Sequence, residues 1–89
     1  MNKLKNMELL KELSNIHDRC IKLIEERNHT DFIEFTSKFL EEKDGIPKMN
    51  KLKTILVVSK NVPNFFPEIK EIREKILLEN NRQLTLLGY

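Results

Sequence analysis

The sequence predicts an all-α protein, an antiparallel four-helix bundle. Three observations carry that prediction. Apolar residues recur at three- and four-residue intervals over four stretches of helical length. Breaks rich in Asn, Asp, Gly and Pro separate those stretches at residues 27–30, 44–47 and 61–64. The loops between them are short, and short loops make consecutive helices antiparallel neighbours. At 89 residues the chain is one domain, 1–89.

The first helix is expected over about 4–26. Met7, Leu10, Leu13, His17, Cys20, Ile21 and Ile24 form its stripe, and Leu9 and Ile16 widen it on one side. The second is expected over about 31–43. Thr30 or Asp31 can cap its first amides, Asp31 and Glu34 have capping-box spacing, and Phe32, Phe35, Phe39 and Leu40 make one apolar face. Asp44 and Gly45 supply a left-handed exit, and Pro47 prevents continuation.

The third helix is expected over about 47–60, with Pro47 in the first turn and Met49, Leu52, Ile55, Leu56 and Ser59 facing inward. Its β-branched Ile55, Val57 and Val58 also suit a buried strand, but a lone strand would have no partner in this chain. The fourth is expected over about 67–80, with Phe65, Ile69, Ile72 and Ile76 inward and Glu68 and Glu71 near its positive dipole end. Residues 81–89 read as a tail that straps the bundle or hooks a partner, unless the helix continues to Leu87.

Charge is unevenly distributed. Residues 28–45 carry two basic and five acidic side chains. Residues 46–63 carry Lys48, Lys51, Lys53 and Lys60 and no acid. This polarised surface suits binding rather than catalysis. Gly45 and Gly88 are the only glycines, so no phosphate-cradling loop exists. Acid pairs such as Glu41–Glu42 point to different helix faces. No catalytic residue and no cofactor is expected.

His17 and Cys20 have the spacing of two metal ligands on a helix. Zinc needs two or three more, so both read as core residues and no metal is expected. His29 reads as an exposed loop residue. A lone cysteine forms no internal disulfide. The first residues lack a secretory apolar region, and the longest apolar run, Ile55 to Val58, is far short of a membrane span. A cytoplasmic location is expected, extending to the inner face of the membrane.

The four lysines of residues 46–63 raise the alternative of a small nucleic-acid-binding regulator. The segment lacks arginine, the commonest reader of guanine. A helix-turn-helix turning at Gly45 would put Glu41 at a tight small-residue position and Lys51 where an aliphatic is needed. Lys48 and Lys51 are instead expected to pair with Glu41, Glu42 and Asp44. Lys53 and Lys60 frame Val57, and with Val58 they form a candidate contact patch on the outside. Phe66, Leu86 and Tyr89 complete the candidate partner-binding set. An antitoxin-like helical adaptor would use the same surface.

The order of features resembles the bacteriocin immunity proteins of the pediocin-like, enterocin A immunity type. Leu13-Ser14-Asn15-Ile16 lies in the first helix and Phe39-Leu40-Glu41-Glu42 ends the second. Ile46-Pro47, a basic helix with Lys48 and Leu52, a break at Val62-Pro63 and a fourth amphipathic helix follow. The likeness covers roughly residues 8–78, and many members have a longer C-terminal tail. The resemblance implies a cytoplasmic, non-enzymatic four-helix bundle. Its partner would be a membrane-embedded receptor with bound bacteriocin, such as a mannose-type phosphotransferase permease, and its specificity would lie in the C-terminal half.

Overall fold

A computed structural model describes residues 3–64 and 66–88. Four α-helices carry the fold: α1 (Lys3–Glu25), α2 (His29–Ser37), α3 (Ile46–Val58) and α4 (Lys70–Leu86). Short 3-10 turns follow α2 (Lys38–Glu41), follow α3 (Val62–Asn64) and precede α4 (Pro67–Ile69). The helices pack on one another as an all-α four-helix bundle, as expected, and among the described residues there is no strand. None of these helices is long and apolar enough to cross a membrane.

One core serves all four helices. Ile16, Cys20 and Leu23 of α1 meet Phe32 of α2, Leu52 and Ile55 of α3, and Ile72 and Ile76 of α4. Ile69 and Phe39 close it from the 3-10 turns. Cys20 is fully buried, and that burial pushes its thiol up to about 12. It stays protonated and unreactive.

The face of α1 differs from expectation. Met7 and Leu10 are 65% and 66% exposed, and the His17 side chain is half exposed beside Asp18. The buried stripe runs through Ile16, Cys20 and Leu23 instead, about a quarter turn away. The reason is geometric. α2 with its 3-10 extension is short, and α3 lies along α1, so only one side of α1 is covered. His17 is therefore not a core residue.

The α1–α2 junction also departs from the expected cap. Asn28 is the N-cap, with its Oδ1 accepting from the Asp31 amide at 3.2 Å. Its Nδ2 donates to the Asp31 carboxylate at 2.8 Å. Asp31 thus serves in the first turn rather than as the cap. Phe32 and Phe39 are buried as expected, while Phe35 and Leu40 are partly covered.

Gly45 is not the left-handed end of the second helix. The 3-10 turn ends earlier, with Glu42 extended, and Gly45 is the N-cap of α3 at φ 147° and ψ 178°. That region is essentially closed to residues with a Cβ. Met49, Leu52, Ile55 and Ser59 are buried as the stripe of α3 required. Arg73 of α4 reaches across to its C-terminal end and donates to the Leu56 carbonyl at 2.9 Å and to Ser59 Oγ at 3.0 Å. A cation there satisfies a free carbonyl and offsets the helix dipole.

α4 continues through Leu86, so residues 81–86 are helix rather than a strap across the bundle. Asn80 and Gln83 extend its buried stripe beyond Ile76. Asn80 donates to the Met49 carbonyl at 3.1 Å. Gln83 accepts from the Gly45 amide at 2.9 Å and donates to Asp44 at 2.8 Å. These bonds make α3 and α4 antiparallel and tie the entry of α3 to the last turns of α4. Phe65 and Tyr89 lie outside the described residues.

Around that junction sits a network of ion pairs. Lys48, 3% exposed, reaches Glu79 at 2.5 Å, and Arg82 bridges Glu79 at 2.8 Å and Asp44 at 2.7 Å. Arg82, followed by Lys48 and Gln83, brings the Glu79 carboxyl from its ordinary 4.5 to about 2, against the opposing effect of burial. Gln83 and Arg82 also hold Asp44 below the usual carboxylate range.

Both acids have lower pKa values folded than unfolded. Their stabilisation is full above the ordinary carboxylate range and is lost as pH falls through the folded values. Urea midpoints should therefore be level near neutrality and fall as pH drops from 4.5 towards about 2. Glu79→Gln should remove much of that fall. Equal acid sensitivity in the variant would locate its source elsewhere.

Candidate partner-binding groove

The four lysines of residues 46–63 divide into two classes. Lys48 and Lys51 are buried in ion pairs. Lys51 reaches Glu42 at 2.8 Å, as the sequence suggested, and also Glu12 of α1 at 2.6 Å. Burial opposes its charge, but the two carboxylates more than offset this and leave its pKa raised. Lys48 pairs with Glu79, a residue 31 positions away that local spacing could not indicate. Lys53 and Lys60 are exposed and have no ion pair among the described residues.

Lys53 and Val57 come together in a groove of about 290 Å³ between α1 and α3. Leu13 and His17 form the α1 wall, and Asn50 and Thr54 complete the α3 wall. Val57 is 65% exposed, as the helical wheel required. α1 and α3 run in the same direction here. Glu12 meets Lys51, and farther along Leu23 and Ile24 share a small void with Val62, just beyond α3.

Sequence reasoning missed the α1 contribution. Met7 and Leu10 continue the Leu13–His17 line towards the N-terminus, and Ile46, 47% exposed, continues the Asn50–Lys53–Val57 line. The heptad-like spacing of both rows was present in the sequence. The α3 row reads as outward-facing, but the α1 row reads as core, because nothing local shows which side α2 leaves bare.

The remaining candidates lie elsewhere. Lys60 is in the turn after α3, and Val58 is partly buried against the core. Phe66 packs internally, with its ring 4.9 Å from the His29 imidazole and the Arg27 guanidinium 5.7 Å from its centroid. His29, expected to be a free loop residue, is part of that packing and lies 3.6 Å from Glu68. Leu86 is exposed in the last turn of α4, near the Gly45 end and so far from Lys60. The candidate set is thus not one patch. Lys53 and Val57 share a groove, Lys60 is exposed in the turn beyond α3, and Phe66 and Leu86 stand apart.

The groove has apolar rims, an imidazole on its α1 wall, and an ammonium with no ion pair among the described residues. It offers no nucleophile–base pair. No family model, curated protein or solved structure matches this chain.

Proposed function

We propose that this chain is a bacteriocin immunity protein, a non-enzymatic bundle that protects its host from a pore-forming bacteriocin. It engages the membrane-embedded receptor once the bacteriocin is bound, with a mannose-type phosphotransferase permease as the receptor class, and occludes the pore. It acts in the cytoplasm at the inner face of the membrane. The observation that carries this reading is the α1–α3 groove, where Lys53, without an ion pair among the described residues, and exposed Val57 face Leu13 and His17, and whose two helical rows run on to exposed Leu10, Met7 and Ile46. Contiguous exposed apolar surface of this kind marks an interaction site, and lysine favours an anionic cytoplasmic face. The order of sequence features supplies the class of partner.

Expression in a bacteriocin-sensitive strain tests it. Protection against one or two peptides of a pediocin-like and lactococcin-like panel is expected. Val57→Asp and Lys53→Glu, both on exposed side chains, should leave the circular dichroism spectrum unchanged. Val57→Asp should cost the interaction about 2 kcal/mol, roughly thirtyfold in affinity, as for a central contact residue. Sensitivity of the wild-type strain to every peptide would defeat the immunity reading.

A further inference from the structure

A second groove, of about 630 Å³, lies on the other flank of α1, between α1 and α2 with its 3-10 extension. Ile16, Cys20 and Leu23, the buried stripe of α1, separate it from the Lys53–Val57 groove. Buried Ile16 and Phe39 and partly covered Phe35 give it an apolar floor. Phe35 and Phe39 meet edge to face, with centroids 5.4 Å apart.

The charges along this groove change sign. At one end two cations stand over the same ring, with Lys38 Nζ 4.8 Å and the Arg19 guanidinium 6.0 Å from the Phe35 centroid. Neither has an acidic partner among the described residues. At the other end Glu12 and Glu42 share the single cation Lys51. One end is therefore positive without compensation, and the other carries one more acid than base.

We propose that this groove docks an acidic amphipathic helix of a partner protein. Both walls are helical, with their backbone groups satisfied internally, so there is no open edge to pair with an extended chain. A helix that lays one apolar face between two helical walls is the recognition mode such a groove fits. The span from Glu12 to Arg19 is about 10 Å, two helical turns. That length seats one large apolar side chain on Ile16, Phe35 and Phe39, with a carboxylate a turn away between Arg19 and Lys38. The cations are held over Phe35 before binding, which lowers the ordering cost of meeting that carboxylate. Excess acid at the Glu12–Glu42 end rejects the reversed orientation.

The site does not depend on the immunity reading, and its test is separate. The isotope-labelled full chain is titrated with a synthetic amphipathic helical peptide bearing leucines on one stripe and glutamates beside them at one end only. A control peptide has lysine at each glutamate position. Amide shifts are expected at Asn15, Arg19, Phe35, Lys38 and Phe39 with the acidic peptide and not with the basic one. Arg19→Glu with Lys38→Glu should weaken binding by about tenfold or more, since two exposed pairs become repulsive. Both side chains are exposed, and unchanged spectral dispersion confirms that the variant is folded. Lys53→Glu should leave this binding intact. Still resonances, equal binding of both peptides, or shifts centred on Leu13, Lys53 and Val57 would each overturn the proposal.

Discussion

Phe32→Ala should leave most of the molecule unfolded near physiological temperature. Phe32 is 1% exposed at the start of α2, and Leu23, Val62 and Ile69 surround it with a residual void of only about 10 Å³. Removing a buried ring costs about 3–5 kcal/mol, the upper end applying where neighbours cannot collapse into the space. Here the neighbours come from α1 and two separate 3-10 turns, and α2 has only nine residues with which to reposition them. A domain has roughly 0.05–0.15 kcal/mol of stability per residue, and short chains bury a smaller fraction of their surface. The loss is therefore comparable with the whole. Urea unfolding followed by circular dichroism measures it, and a loss below about 1 kcal/mol would show that α2 does not anchor the core.

Glu79→Ala should be the most damaging single change among the charged residues, costing about 2–4 kcal/mol. The cost falls on Lys48. Its ammonium is almost wholly enclosed, and without Glu79 its remaining acid is Asp44 at 3.7 Å. An enclosed charge stripped of its partner costs about 3–5 kcal/mol, and the flexible lysine stem lowers this by letting the ammonium move towards water. Replacing both members, as Lys48→Met with Glu79→Leu, should recover most of the loss, because no charge is then left stranded. Equal destabilisation in single and double variants would mean that the pair contributes through packing alone. The same acid governs the expected loss of stability at low pH, so the two measurements check one another.

Much of the bundle was legible because helix formation and termination are local. The period of the stripes in α3 and α4, the Pro47 start, and the separation at residues 61–64 follow from neighbouring residues and backbone geometry. Asn28 was missed as a cap because Thr30 and Asp31 are equally competent acceptors, and only the path of the chain selects among them. Asn80 and Gln83 sit where the Ile69–Ile72–Ile76 stripe continues, so the spacing did indicate burial. Their polarity concealed it, since a buried amide is acceptable only when distant partners such as Met49 and Gly45 satisfy it.

The grooves divide the same way. Val57 and Lys53 were readable as exposed because both fall off the inward stripe of α3, whichever helix covers it. Their companions Leu13 and His17, and the pairing of Arg19 with Lys38 over Phe35, depend on which flank of α1 each neighbour takes. By itself the sequence determined the helical class, the number of helices and the inward faces of α3 and α4, because periodicity and capping act within a few residues. Tertiary structure alone decided the rotation of α1, the side-by-side course of α1 and α3, and the pairing of Lys48 with Glu79. A stripe of period near seven allows several rotations of similar local energy, and only packing against the short α2 and the parallel α3 selects one.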